Sequence, residues 1–366
     1  MFNPMRLALA RKRRGMNKIR LAESVGLTSR SISAFENGEK VPAEDTIQRI
    51  SSALLFPVDF FFGNDLDVPS SETASFRSMA RMTAAKRDAA LGAGALAFLL
   101  NDWIEERFEL PKAALIDLRA EAPETAAVAL RQHWGLGERP VKNMVHLLEA
   151  MGVRVFSLEE RSIEVDAFSL WRNETPFVFL NTLKSAEHSR FDAAHELGHL
   201  VLHKHGGPKG QDTEQEANAF ASAFLMPKAS VLGLVPQIPT LQHIIQLKRN
   251  WIVSVAALAY RLKALGLLSE WHYRSLCMDM SEKGYRTTEP EPAQKEISQL
   301  LAKIFLALRQ DGISKHELAN TLQIHVSDLE KLVFGLTFVS LDGSETLPKK
   351  SSEQQDGNRS YLRVVK

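Results

Sequence analysis

A chain of 366 residues with 45% hydrophobic and 24% charged residues has the composition of an ordinary globular protein, and its length leaves room for two or three domains. No run approaches the roughly 18 apolar residues that cross a bilayer, and the nearest, residues 88–100, is expected to pack as a core helix. A lone cysteine, Cys277, excludes an internal disulfide, and the apolar residues of the N-terminus precede its basic ones, unlike an export signal, so the expected location is the cytoplasm with no membrane partner.

The overall charge of +1 conceals a local surplus: residues 1–40 hold nine Lys and Arg against three Glu, which suits a polyanionic partner. Residues 4–14, 17–25, 28–37 and 43–55 read as four short helices, with Asn17 and Thr28 as N-caps, Gly26 and Gly38 as stops and Pro42 as a start. Leu21, Ala22, Val25, Leu27, Ile32 and Phe35 form the apolar set that would fix the second and third helices across a turn. In a helix-turn-helix the first helix crosses the backbone and the second enters the major groove. Thr28, Ser29, Arg30 and Ser33 are left outward at the start of that second helix, and Asn17 and Lys18 begin the first. Arg30 is the candidate for bidentate reading of guanine, the hydroxyls for phosphate or base edges, and Asn17 and Lys18 for phosphate. Double-stranded DNA is therefore the expected partner; a helical adaptor that binds protein is the alternative, which the local charge disfavours.

Residues 64–75 are polar and turn-forming, as a linker is, and a helical stretch at 80–108 and further helices to about 150 follow. The period then changes: "GVRVFSL" (152–158), "AFSLW" (167–171) and "PFVFLN" (176–181) are short and aromatic-rich, as strands are. A small sheet among many helices gives an α+β fold, mostly α. "PFVFLN" is either a sheet edge on which an extended substrate adds a strand or a buried core strand.

The stretch "FDAAHELGHLVLHKH" (191–205) reads as a helix in which His195 and His199, four residues apart, point at one ion. Glu196 is offset so as to reach a water beside that ion, the role of a general base. Ala194, Leu197 and Val201 make the opposite face apolar; Gly198 either admits a neighbouring backbone or is merely tolerated. A third ligand is expected from "DTEQEANAFASAFLMP" (212–227), a second helix with a core face of Ala217, Phe220, Ala221 and Phe224. Glu216, one turn before Phe220, is the first choice and Glu214 the second. Two His and one Glu form a catalytic rather than structural zinc set, with Mn2+ or Fe2+ not excluded. His203 lies too far along the helix to share the ion and is assigned a packing or supporting role, while His188 and His205 are assigned to the surface.

Helices dominate again from 239 to 270, a further boundary is expected at 286–294, and residues 344–360 have the composition of a disordered tail. "LANTLQIHVSDLEKLVFG" from Leu318 aligns without gaps on "LAESVGLTSRSISAFENG" from Leu21, pairing Leu21 with Leu318, Ile32 with Leu329 and Gly38 with Gly335. The later copy is acidic, so it is read as a packing or protein-docking unit rather than a second DNA reader. "WIVSVAALAYRLKALGLLS" (251–269) has a similar outline and is assigned to core packing.

These residues resemble two known families. Residues 5–62, through "SISAFENGEKVP" and "PVDFFF", resemble the XRE/Cro-type helix-turn-helix domain, and residues from about 120 to 285, through "RFDAAHELGHLVLH" and "EQEANAFASAFLMP", resemble the ImmA/IrrE metallopeptidase domain. The resemblance implies a zincin-like domain with zinc held by His195, His199 and Glu216, with Glu196 catalytic. It further implies cleavage of repressor proteins, often of the XRE class, in a stress or mobile-element response, and the DNA-binding class implies a homodimer on a palindromic operator. The substrate is left open among a separate repressor, a toxin-like partner and the chain itself. The alternative is a regulator or antitoxin whose peptidase-like domain senses a ligand or partner without proteolysis. The expected layout is a DNA-binding domain at 1–63, a linker and helical connector at 64–118, the metallopeptidase-like domain at 119–286, a helical C-terminal domain at 287–343 and a tail at 344–366.

Overall fold

A computed structural model of the chain describes residues 1–70, 75–76, 83–158, 167–204, 211–337 and 363–364; His205 and the expected disordered tail at 344–360 lie outside them. The chain opens with α1 (Pro4–Arg13), α2 (Lys18–Val25), α3 (Ser29–Glu36), α4 (Glu44–Leu54) and a 3-10 turn, Val58–Phe62. Side-chain caps set these boundaries: Asn17 accepts from the Arg20 amide and Thr28 from the Ser31 amide, while Gly26 ends α2 at φ 69°. Leu21, Ala22, Val25, Ile32 and Phe35 are buried together, which fixes α2 against α3.

Next come β1 (Ser75–Phe76), α5 (Ala84–Glu105), β2 (Phe108–Glu109), α6 (Pro123–His133), α7 (Met144–Ala150), β3 (Arg154–Ser157), β4 (Ala167–Arg172) and β5 (Thr175–Leu180). The sheet runs in the order β1-β4-β5-β3, with β4 antiparallel to both its neighbours and β3 parallel to β5. β5 is thus an interior strand, buried from Pro176 to Leu180. Of the two readings of "PFVFLN", the free edge is corrected to a core strand, as its unbroken apolar run fits. On one sheet face Phe156, Phe168, Phe177 and Phe179 stack on one another and meet α5 through Phe98, 4.8 Å from Phe177 between ring centroids. The other face, with Val155, Val178 and Leu180, shares a core with α8 (Ala186–Leu202) and α9 (Gln211–Leu225).

The remaining helices are α10 (Lys228–Leu234), α11 (Leu241–Trp251), α12 (Val255–Ala264), α13 (Glu270–Glu282), α14 (Gln299–Gln310), α15 (Lys315–Thr321) and α16 (Val326–Val333); a last strand, β6 (Arg363–Val364), pairs antiparallel with β2. No helix among the described residues is long and apolar enough to cross a membrane, and the apolar run at 88–100 is the buried centre of α5.

The segment after α13 is fastened down. Glu289 accepts from the Val255 amide at 2.7 Å and pairs with buried Lys248 at 3.2 Å. The Ala293 amide donates to Glu187 at 2.8 Å, and Glu296 caps α7 at Met144 and Val145 while pairing with buried Arg190. Acidic residues in a Pro-rich stretch, which on composition alone mark a boundary, here serve as helix caps and counter-ions.

The echoed segment forms α15 and α16, and the matched positions Leu318, Ala319, Leu322, Ile324, Leu329 and Leu332 are all buried, in the same core as the N-terminal helices. Its acidity has a direct use: Asp328, fully buried, accepts from both terminal nitrogens of Arg14 at 2.6 Å and lies 3.7 Å from Arg13. The N-terminal charge surplus is correspondingly smaller at the surface. Arg6, Arg11 and Arg13 are buried, Arg11 pairing with Glu36, and the exposed cations of the region are Lys12, Arg20, Arg30 and Lys40. Asp328→Ala removes the counter-ion from two largely buried guanidinium groups and is expected to cost about 3–5 kcal/mol of stability. Glu330→Ala breaks the exposed pair with Lys315 on the same unit and should cost at most about 1 kcal/mol. Denaturant unfolding of the two variants compares them, and equal losses would contradict the clamp.

Candidate metal centre

Ser185 caps α8 by accepting from the His188 amide, and from there the helix is buried along most of its length. Its partner α9 comes unusually close at Gly198, where a Cβ would meet Phe220 Cδ1 at 3.0 Å and the Ala217 Cα at 3.3 Å. That approach brings the acidic start of α9 over the histidines. The Nε2 atoms of His195 and His199 are 3.0 Å apart, and the Glu214 carboxylate lies 3.3 Å from the first and 3.5 Å from the second. All three ligating atoms fall within 4.8 Å of one another.

Glu216, the first choice from sequence, is not in this group. It projects from the other flank of α9, half exposed, and accepts from His203 at 2.8 Å. Residues two apart on a helix differ by roughly 200° in direction, so Glu214 and Glu216 cannot both face the histidines. Asn218, one turn after Glu214 and on its flank, accepts from His195 Nδ1 at 3.1 Å. That i,i+4 pairing of Glu214 with Asn218 was the sequence signal for the flank that faces the histidines.

The hydrogen bonds fix the ring tautomers. Asn218 Oδ1 can only accept, so His195 carries its proton on Nδ1 and presents a lone pair at Nε2. His203 donates from Nε2 to Glu216, accepts at Nδ1 from His199 Nδ1 at 3.0 Å, and so leaves His199 with a lone pair at Nε2 as well. Burial lowers the pKa of His203 despite Glu216 beside it, which keeps that ring neutral at pH 7. Two lone pairs and a carboxylate therefore converge with no proton among them. An acceptor-only cluster that is largely buried is unstable without a cation, and its donor set of two imidazoles and one carboxylate fits a divalent metal.

Glu196 is fully buried beside the cluster, and the Ser169 hydroxyl of β4 donates to its Oε2 at 2.7 Å. Ser169 went unnoticed in the sequence; its signal was a polar residue between Phe168 and Leu170 in an otherwise apolar strand. Trp171 of the same strand donates to the Leu200 carbonyl at 3.0 Å, holding β4 along α8. His188 is exposed, as expected.

At the other end of the chain, Thr28, Ser29 and Arg30 are exposed at the start of α3, and Ser33 is half-buried. Asn17 and Thr28 use their side chains as caps, and Lys18 lies 3.4 Å from Glu36.

Comparison with protein families places residues 7–61 in the helix-turn-helix family and residues 148–263 in the peptidase family of the IrrE N-terminal-like domain. The chain joins an XRE-type helix-turn-helix domain to an IrrE-like domain. A search of curated proteins gives no match. His195, His199 and Glu214 all lie within the IrrE-like span, and α2 and α3 within the helix-turn-helix span. The families support DNA binding at the start of the chain and a metallopeptidase-like domain in its middle.

Glu214 and Glu216 separate cleanly by mutation. Glu214→Ala is expected to abolish metal retention, whereas Glu216→Ala removes only support for His203 and His199 and should weaken affinity by about 10–100-fold. Metal titration of both variants checks this, and the reverse order would return the third position to Glu216.

Proposed function

We propose that the chain is a DNA-binding transcriptional regulator whose IrrE-like domain is a zinc-dependent endopeptidase acting on a repressor or other partner protein. The observation that carries the reading is the proton-free cluster of His195, His199 and Glu214 with Glu196 next to it. His195, His199 and Glu214 would hold the metal; zinc suits the set best, with Mn2+ or Fe2+ compatible. When bound, such an ion supplies Lewis acidity at the susceptible carbonyl.

The chain's own residues do the rest. Glu196 takes a proton from the attacking water and returns it to the departing amine, so it acts as base and then acid. Ser169 holds its carboxylate in place through the 2.7 Å hydrogen bond. The relay from Glu216 through His203 fixes the ring of His199, and Asn218 fixes that of His195.

At the DNA-binding end, Arg30 and Ser29 are offered to base edges by α3, and Asn17, Lys18, Thr28 and Ser33 flank them toward phosphate. A homodimer on a palindromic operator is the arrangement that this class uses. Such a fusion brings proteolysis to a promoter, where XRE-type repressors are themselves found.

Zinc-loaded protein incubated with XRE-type repressor proteins should yield defined fragments by intact-mass analysis. Glu196→Gln should keep metal and fold while losing about 10²–10⁴ in cleavage rate; fragments unchanged in that variant, or absent with the wild type, would contradict the reading. Arg30→Ala should weaken operator binding by about 1–3 kcal/mol in an anisotropy titration at fixed salt, and an unchanged affinity would take Arg30 out of the interface.

A further inference from the structure

The helix α13 lies beyond the IrrE-like span, which ends at residue 263, and it turns large apolar side chains outward. Its inner face, with Leu276 and Met280, is buried. On the outer face Trp271 is 79% exposed and Met278 67%, although the other four tryptophans of the chain are buried or half-buried. Trp271, Arg274, Met278 and Glu282 follow one another at spacings of three and four, so they share one stripe of the helix, and all four are exposed. Tyr260 of the adjoining α12 is exposed as well. Single exposed apolar residues are ordinary on a globular protein, whereas a group of them marks an interaction site. Tryptophan, tyrosine, methionine and arginine are the side chains that protein interfaces concentrate.

The charges on the stripe select what covers it. Arg274 and Glu282 lie four residues to either side of Met278, about 6 Å along the axis in each direction. A twofold axis beside Met278 lays α13 antiparallel to its own copy, so Arg274 stands level with Glu282 of the partner subunit, and the pair occurs twice. Met278 then sits at the centre. Parallel packing would set each charge against its like, so the pattern fixes the direction too. The Nε of Arg274 lies 3.3 Å from Glu270 of its own chain, which leaves the guanidinium further donors for a second carboxylate. We propose that the outer face of α13, with Tyr260 beside it, is the interface between two copies of this chain, packed antiparallel about Met278. The pairing rests on the homodimer reading and names the surface that makes it, on a helix that neither matched family covers.

Sedimentation of the full chain without DNA, over a range of concentrations, reads the pairing, and the wild type should dimerise. Met278→Asp places two carboxylates at the centre and should weaken dimerisation about a hundredfold. Arg274→Glu and Glu282→Arg each set like charges together at two places, and each should weaken it about tenfold or more. The double variant Arg274→Glu/Glu282→Arg restores opposite charges only across the twofold, because the two positions are about 12 Å apart along one helix. It should return the dimer to within about threefold of the wild-type affinity. A wild-type chain that stays monomeric overturns the proposal together with the homodimer reading. A wild-type dimer that the single reversals leave intact, or that the double variant fails to restore, overturns the proposal and leaves the homodimer to another surface.

Discussion

The approach of α9 to α8 at Gly198 is the constraint from which the centre follows. With no side chain at that position, the Ala217 backbone and the Phe220 ring lie against α8, and the start of α9 reaches over His195 and His199. The flank of α9 that faces inward is then set by its apolar residues, with Phe220, Ala221 and Phe224 buried. Glu214 and Asn218 sit on the border of that buried face nearest the histidines. Glu216, on the opposite border, turns to His203. The helix packing thus divides two nearby carboxylates between two tasks: one completes the acceptor cluster, and the other orients the ring next to it.

The same packing explains why part of the site was readable in the sequence and part was not. His195 and His199 share a direction because four residues make about one turn of any α-helix, so no tertiary knowledge was needed. The third carboxylate depended on which flank of α9 faces α8, and the apolar spacing alone placed Glu214 and Glu216 at similar angles from the core stripe. Asn17 and Thr28 were legible as caps because capping is local chemistry. The use of the arginines was not: counting charge gave Arg6, Arg11 and Arg13 to a DNA-facing surplus, yet burial gives them to Phe60, Glu36 and Asp328. The echo between Leu21 and Leu318 pairs positions that are buried in both copies, and the acidic copy, read as a packing or protein-docking unit, packs into the core of the N-terminal helices. Its partner, the first helix of the same chain, depends on contacts between residues more than 300 apart.

The two ends of the chain are not beads on a string. Phe2, Leu7 and Phe60 from the N-terminal helices, the centre of α5, the phenylalanine face of the sheet and Leu318 to Leu332 near the C-terminus form one continuous core. A buried carboxylate joined to two arginines adds little net stability over an apolar pair, but a misplaced one is costly, so Asp328 specifies how the helices meet. The helix-turn-helix domain and the phenylalanine face of the sheet beside the candidate metal centre thereby share a core.

The proposed divalent-cation site is the cluster of His195, His199 and Glu214. X-ray absorption at the zinc edge of zinc-loaded wild-type protein tests it most directly. One tightly held zinc is expected, with imidazole and oxygen scatterers at about 2.0–2.2 Å, two of them from histidine. Protein that retains no zinc after loading, or zinc without imidazole scattering, would contradict it.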